Sequence, residues 1–271
     1  MITRPTCRLG SQFQQVVFAV STGRTATNAL SAYLPQVYPS VTGLHEPKPA
    51  RMFRIVSNMH LCGKISEPTV ARLLYLARRK RINELKGGTY FEANGFLHGC
   101  LDAFDHTFHN VKVIHIVRHP ITYIRSHINH GAFLGLKGMA GRLMPYWLLK
   151  PDYYDQRSGL KWYELSFEER LAWRWVVVNQ ALERGESLFG DRYLRVRYED
   201  LFADSGQRLG IITNWLGLPY DERISTVIRS QRYNASKRDT ARPLEDWPGR
   251  VREHVYSLCE SQMARYGYER I

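Results

Sequence analysis

A strand–loop–helix pattern near the N-terminus constrains the fold of this chain most strongly. Residues 16–20 form a short apolar run, and the polar loop Ser-Thr-Gly-Arg-Thr-Ala-Thr-Asn follows at residues 21–28. A segment compatible with a helix then begins at Ala29. Backbone N–H groups left free at a helix N-terminus bind anions, so the pattern predicts an anion-binding turn. An ordinary strand-to-helix turn fits the loop equally well when the loop is taken alone.

The composition of this loop narrows the kind of anion. Arg24 supplies a fixed positive charge, and Thr25 and Thr27 supply hydroxyl donors. The Gly-x4-Gly-Lys-Ser/Thr pattern of a Walker loop is absent, which argues against a Walker-type site for a nucleoside triphosphate. The loop therefore suits a phosphate or a sulfate-like group.

A second strand-to-helix junction lies in the middle of the chain. Val111–Val117 reads as a buried strand of the parallel type, with Arg118 directly after it. Pro120 suits the first turn of a following helix, and Ser126 lies two turns into that helix. Arg118 and Ser126 are expected to meet at one phosphate. The alternatives are a salt bridge for Arg118 and a neutral helix surface for Ser126.

Strands alternate with helices along the whole chain, which predicts an α/β protein with a largely parallel sheet covered on both faces. Ligands of such sheets bind at the C-terminal ends of the strands. Four charged residues fall at or just beyond predicted strand ends, namely Arg24, Glu46, Glu92 and Arg118. Their shared edge is the predicted functional site.

Other charged and aromatic segments refine this picture. The net charge of +13 favours anionic ligands. The basic side chains of the predicted helix 67–85 are interpreted as a solvated face: Arg72, Arg78, Arg79, Lys80 and Arg81. The glycine- and aromatic-rich segment 131–164 is interpreted as a wall of the substrate site. The polar segment 231–250 is expected to close over an anionic cofactor.

Cysteine usage and hydropathy bear on the compartment. The four cysteines are scattered without metal-ligand spacing, which fits a reducing cytosol. The N-terminus lacks the apolar segment of a signal peptide, and no apolar run has membrane-spanning length. We therefore expect a cytoplasmic protein without a metal site.

The sequence resembles the sulfotransferases that use 3′-phosphoadenosine 5′-phosphosulfate (PAPS). The resemblance rests on four stretches: the loop 21–30, the segment 113–126, residues 197–201 and residues 234–247. It implies a P-loop-NTPase-like three-layer α/β fold with a central, mainly parallel five-stranded sheet. It also implies a single domain over residues 1–271, with 131–164 as a substrate-facing insertion.

The resemblance also implies site residues. Glu46 is the expected catalytic base, with His45 as the next candidate and Glu92 as the third, and Arg24 stabilises developing charge. The expected cofactor-binding residues are Gly23, Arg24, Thr25, Ala26, Thr27, Asn28, Arg118, Ser126, Lys237 and Arg238. The chain departs from the family pattern where Ala26 replaces the usual glycine and Asn28 replaces a frequent serine or threonine.

The implied reaction is in-line transfer of a sulfuryl group from PAPS to a hydroxyl or amine, with release of adenosine 3′,5′-bisphosphate. The arginine-containing loop is similar to that of the carbohydrate-type branch. The segment 131–164 and the positive net charge favour a glycan or another acidic or polyhydroxylated small molecule as the acceptor, with a lipid or an aromatic metabolite as the alternatives. No nucleic-acid partner and no stable membrane insertion are expected, and the oligomeric state stays open, a dimer included. The alternatives are a P-loop-type kinase or NTPase, and a basic nucleic-acid-binding protein without catalysis.

Overall fold

A computed structural model describes residues 3–25, 27–131, 138–139, 141, 143–156, 159–201, 209–223 and 240–271. At its centre is a five-stranded parallel sheet with the strand order β2-β3-β1-β4-β5. The strands are β1 Gln15–Ser21, β2 Val41–His45, β3 Thr89–Ala93, β4 Val111–Val117 and β5 Tyr193–Arg197. The predicted fold class and parallel sheet are confirmed.

Helices follow the strands in the alternation that the sequence predicts. They are α1 Thr27–Val37, α2 Ala50–Leu61, α3 Glu67–Glu84, α4 Phe104–Thr107, α5 Pro120–Asn129, α6 Pro151–Tyr154, α7 Phe167–Phe189, α8 Tyr198–Leu201, α9 Leu209–Trp215 and α10 Gly249–Tyr266. Because parallel strands need crossover connections, helices of this kind cover the sheet.

Strand β1 shows how both faces of the sheet are buried. Its side chains alternate between the two faces, as those of any strand do. Phe18 points to one apolar cluster, where its ring lies 4.3 Å from that of Phe104 between centroids. Val17 and Ala19 belong to the cluster on the other face, together with Leu30 of α1. Every residue of β1 is consequently buried.

The parallel register brings the C-terminal ends of four strands to one edge. Ser21 of β1 is opposite Ile116 of β4, and Ala93 of β3 is opposite both Ala19 and His45. The segments that follow β1, β2, β3 and β4 therefore leave the sheet side by side. This edge carries the residues predicted to form the site.

The sequence predicts a helix over residues 167–189, where Leu171, Trp175, Val178 and Leu182 recur at helical spacing. Helix α7 spans these residues, and the apolar stripe is buried. A capping box fixes its first turn. Ser166 Oγ accepts a hydrogen bond from Glu169 N at 3.2 Å, and Glu169 Oε2 accepts one from Ser166 N at 2.7 Å. The cap sets where the helix starts and therefore which of its residues face the sheet edge.

Replacing Ser166 with alanine should lower the free energy of unfolding by about 1 kcal/mol, because Glu169 N in the first turn loses its side-chain acceptor. Urea unfolding would measure this loss. Ser187→Ala, an exposed serine near the other end of the same helix, is the control and should change the free energy by less than about 0.5 kcal/mol. Equal losses in both variants would contradict a capping role.

Two segments differ from the sequence-based expectation. Residues 51–64 have no clear apolar period, yet most of them form α2; Ser57 and Asn58 are buried there, so polar side chains occupy part of its inner face. The spacing of Leu97, Leu101, Phe104 and Phe108 predicts a helix over residues 96–108, but the structure has two 3-10 turns followed by α4 there. Asn94 Oδ1 accepts from Phe96 N, and Ser57 Oγ donates to Phe96 O, so side chains take up backbone groups at the start of this segment.

Two further properties concern the described residues only. None of the helices in these parts of the chain is both long and apolar enough to cross a membrane. Within the same residues, no group of histidine, cysteine, aspartate or glutamate side chains has the arrangement of a metal site.

Candidate active site

The loop after β1 has an unusual backbone. Gly23 and Arg24 both have positive φ angles, of 90° and 59°. A non-glycine residue in this region costs about 1–3 kcal/mol and persists only where the surroundings hold it. Here Arg118 Nη1 donates to the Arg24 carbonyl at 2.6 Å, and Gly23 N donates to Ser21 Oγ at 3.0 Å. The strained turn is therefore held from both sides.

Three predicted cofactor-binding residues form one connected group. Arg24 Nε donates to Ser126 Oγ at 3.2 Å, and Arg118 binds the carbonyl of Arg24. Arg118 Nε also donates to Thr122 Oγ1 at 3.1 Å, and its guanidinium lies 4.3 Å from the centroid of the Tyr198 ring. The structure thus brings the first loop and the β4–α5 junction together, although Ser126 is linked to Arg24 and not directly to Arg118.

The hydroxyl groups of the loop are buried. Thr22, Thr25 and Thr27 are all less than a tenth exposed. The Oγ1 atoms of Thr22 and Thr25 have no hydrogen-bond partner among the described residues. Buried polar atoms normally have a partner, so these two are available to a ligand. The carbonyl of Asn28 accepts from Ser31 Oγ inside α1.

Three predicted cofactor-binding residues lie outside the described residues. They are Ala26 in the first loop, and Lys237 and Arg238 in the late polar segment. Their assigned roles remain predictions.

Arg174 of α7 is a site residue that the sequence reasoning did not identify. Its Nη1 donates to the Thr22 carbonyl at 2.9 Å and to Tyr123 OH at 2.6 Å. The next residue, Trp175, donates from Nε1 to the Arg118 carbonyl at 2.9 Å. Helix α7 therefore supports both the first loop and the end of β4.

Positive charge accumulates at this edge. Burial lowers the pKa of Arg24, and the neighbouring Arg118 charge lowers it further. Burial also lowers the pKa of the His127 imidazole well below its usual value, with added repulsion from Arg174 and Arg24. The Nε2 atom of His127 is buried without a described partner. Several half-buried arginines close to one another indicate a site that is complementary to an anion.

Glu46 is a carboxylate at the same edge of the sheet, directly after β2. It follows β2 with a φ of 41°, and its N–H donates to the Ala93 carbonyl at 2.9 Å, which ties it to the end of β3. Burial raises the pKa of Glu46, while the charges of His45 and Arg54 partly oppose that shift. A partly buried carboxylate with a raised pKa is a stronger base than an exposed one, which suits it to accepting a proton.

His45 lies at the last position of β2, opposite Ala93 of β3. Its Nδ1 atom is buried and has no hydrogen-bond partner within the described parts of the chain. The structure places it next to Glu46 at the sheet edge, as the sequence predicts, and its charge interacts with that carboxylate.

Glu92, the third candidate for the base, has a structural role instead. It is fully buried in β3, and Arg78 binds both of its oxygens at 2.8 Å. Tyr90 OH and Asn94 Nδ2 also donate to this carboxylate, at 2.7 and 2.9 Å. The expectation that Arg78 lies on a solvated helix face is therefore wrong. Its side chain points inward from α3 and forms a buried ion pair with Glu92, since a buried carboxylate is stable only when it is paired.

A family model shows what kind of protein has this arrangement. The model of the sulfotransferase family matches residues 16–222, well over half of the chain. The chain belongs to the sulfotransferase family. Members of this family transfer sulfuryl groups, so the strained loop and the arginines at the sheet edge lie in a sulfotransferase fold. No curated protein sequence matches this sulfotransferase significantly.

Solved structures support the fold. The chain is similar to the sulfotransferase domain from the curacin biosynthetic pathway, with a TM-score of 0.56, 14% identity and coverage of 97% of this chain and 99% of that one. The sulfotransferase domain of the Synechococcus PCC 7002 olefin synthase gives 0.54 at 17% identity, with 100% of both chains covered. A sulfotransferase from Alicyclobacillus acidocaldarius gives 0.53 at 12% identity, covering 95% and 97%.

The residues of this sulfotransferase that the sequence reasoning missed lie on helices, not on the strand-end loops. Arg174 lies between two buried tryptophans of α7, Trp173 and Trp175. An arginine between two large apolar residues is a signal that was present in the sequence. Arg54 lies in α2, whose apolar period is too weak to show which residues face inward. His127 directly follows Ser126 in α5, but spacing does not show that its ring turns towards Gly23.

Proposed function

We propose that this sulfotransferase uses PAPS as its donor and transfers the sulfuryl group to a hydroxyl, or an amine, of an acceptor. The observation that carries the proposal is the connected group of Arg24, Ser126 and Arg118, which joins two separate strand ends. PAPS has anionic groups on both its 3′ and 5′ sides and supplies an activated sulfuryl group. A continuous cationic edge is complementary to a ligand with that charge distribution.

The loop residues Gly23, Arg24, Thr25, Ala26, Thr27 and Asn28 are assigned to the 5′-phosphosulfate. The buried hydroxyls of Thr22 and Thr25, which have no partner in the described residues, fit acceptor oxygens of such a group. Arg118 and Ser126 are assigned to the 3′-phosphate, with Lys237 and Arg238 as further contacts.

Glu46 is proposed to accept the proton of the attacking hydroxyl. Burial raises its pKa, which strengthens it as a base, and its N–H contact with Ala93 holds its backbone at the sheet edge. Arg24 and the loop N–H groups stabilise negative charge on the transferring and leaving oxygens. His45 is the alternative base because it lies next to Glu46.

The acceptor is proposed to be a glycan or another polyhydroxylated molecule, which fits the arginine in the first loop and the positive net charge. We propose that residues 1–271 form one domain and that 131–164 faces the acceptor. The free state of the four cysteines is compatible with a cytoplasmic enzyme.

Thermal unfolding with three ligands tests the donor assignment. Adenosine 3′,5′-bisphosphate at 100 times its dissociation constant should stabilise the protein by about 2.7 kcal/mol, roughly 5–10 °C in Tm, because it binds only the folded chain. ATP should have a much smaller effect, since it lacks a 3′-phosphate for Arg118 and Ser126.

The same titration separates the alternatives. Equal stabilisation by ATP would favour a kinase or NTPase. Tight binding to DNA without any response to the bisphosphate would favour a non-enzymatic nucleic-acid-binding protein and would overturn the proposal.

A further inference from the structure

Arg54 of α2 packs against two aromatic rings, and the proposed donor site does not account for this arrangement. Its guanidinium carbon lies 4.4 Å from the centroid of the Phe96 ring and 4.9 Å from that of Trp147. Its Nε is buried without a partner among the described residues. Burial and the nearby Arg174 charge lower the pKa of Arg54 to about 10. Aromatic rings attract a guanidinium, but they leave the N–H groups at its edge without acceptors.

Trp147 provides a second donor of the same kind beside it. Its Nε1 atom is buried and has no partner in the described part of the chain. The preceding residue is fixed, because Asn58 Nδ2 donates to the Tyr146 carbonyl at 2.7 Å, and Asn58 Oδ1 is paired with His98 Nε2 at 3.1 Å. Leaving a buried donor without an acceptor is unfavourable, so two such donors in contact call for an acceptor group from outside the chain.

These donors lie on the side of the site that carries the proposed base. Glu46 follows β2, and α2 begins a few residues later, whereas Arg118 follows β4. In the sheet, β3 and β1 separate β2 from β4. The charges of Arg54 and Glu46 shift each other's pKa, which places them in one electrostatic neighbourhood. The one negative charge of Glu46 does not neutralise the two positive charges of Arg54 and Arg174.

We propose that Arg54 and Trp147 bind an anionic group of the acceptor, a carboxylate or an ester of sulfate, while its hydroxyl lies at Glu46. This inference rests on the proposed function. A guanidinium presents N–H donors in a plane that matches the oxygens of such a group, and the indole N–H adds a further donor. A neutral acceptor leaves both donors unsatisfied, so the site discriminates against it.

Paired probe ligands test this specificity without requiring turnover. Phenyl β-D-glucuronide and phenyl β-D-glucoside differ only in having a carboxylate or a hydroxymethyl group on the sugar. Their binding is measured by ligand-observed NMR on protein saturated with adenosine 3′,5′-bisphosphate, which occupies the donor site. The wild type is expected to bind the glucuronide at least tenfold more tightly than the glucoside.

Two variants assign that preference to the two donors. Arg54→Met should abolish it, and Trp147→Phe, which keeps a ring but removes the N–H, should reduce it severalfold. Arg72→Met removes an exposed arginine of α3 and is the control; it should keep the preference. Affinity for the bisphosphate should change less than twofold in all three variants.

The possible outcomes separate the two proposals. Failure of the wild type to bind the bisphosphate would contradict the proposed function itself. Normal bisphosphate binding with equal affinity for the two glycosides, or an unchanged preference in Arg54→Met, would overturn only the acceptor assignment. Loss of bisphosphate affinity in Arg54→Met would place Arg54 in the donor site and would also overturn the acceptor assignment.

Discussion

Replacing Glu46 with glutamine is expected to lower kcat by about 10²- to 10⁴-fold, while the affinity for adenosine 3′,5′-bisphosphate stays within twofold of the wild-type value. Glutamine keeps the size and the hydrogen-bonding capacity of the side chain but cannot accept the proton of an attacking hydroxyl. Transfer from isotope-labelled PAPS into an extract of the host cells, quantified by mass spectrometry, measures the activity. Bisphosphate binding is measured by calorimetry.

The pH profile gives an independent readout of the same residue. The base must be ionised to act, so kcat/KM should rise with pH through the pKa of Glu46 and level off above it. Because burial raises this pKa, the midpoint of the rise should lie above pH 4.5, the usual pKa of a glutamate. Glu84→Gln, at the exposed end of α3, is the control and should retain full activity. Full activity of Glu46→Gln would exclude Glu46 as the base and direct attention to His45.

Replacing Arg78 with methionine is expected to lower the free energy of unfolding by about 3–5 kcal/mol. The reason is the position of Glu92, which is fully buried and would lose the bidentate partner of its carboxylate. Urea unfolding followed by circular dichroism measures the loss. Arg79→Met removes the next arginine of α3, an exposed one, and should cost less than about 0.5 kcal/mol.

A double variant separates the loss of the pair from the loss of packing. Arg78→Met combined with Glu92→Gln removes the unpaired charge while the amide oxygen still accepts from Tyr90 or Asn94. It should be more stable than Arg78→Met alone. A cost below about 1 kcal/mol for Arg78→Met would contradict this account of the Arg78–Glu92 pair.

Much of the fold could be predicted because short-range patterns report it directly. Five buried isoleucine and valine residues mark β4, and Pro120 begins α5 as expected. Helix α7 has the predicted bounds, since its apolar residues recur at helical spacing over that range. The C-terminal ends of β1, β2 and β4 lie at one edge because the sheet is parallel, and Arg24, Glu46 and Arg118 follow those ends.

The remainder depends on contacts between distant parts of the chain. Arg78 looks like its exposed neighbours in the sequence, and only the position of Glu92 fourteen residues later makes it a buried ion pair. Helix α2 buries Ser57 and Asn58, whose partners lie near residues 96–98, so its inward face has no apolar signature. No local pattern reports such partners.

The sequence alone determined the alternation of strands and helices, the two strand-end motifs and the positive charge that selects an anionic ligand, because these follow from periodicity and composition. Only the tertiary structure decided which charged groups lie close together. It joined Arg24 to Ser126, set Arg174 beneath the first loop and removed Glu92 from the candidates for the base. The physical reason is that burial and hydrogen bonding depend on neighbours in space, and the crossover helices of a parallel sheet separate those neighbours widely in sequence.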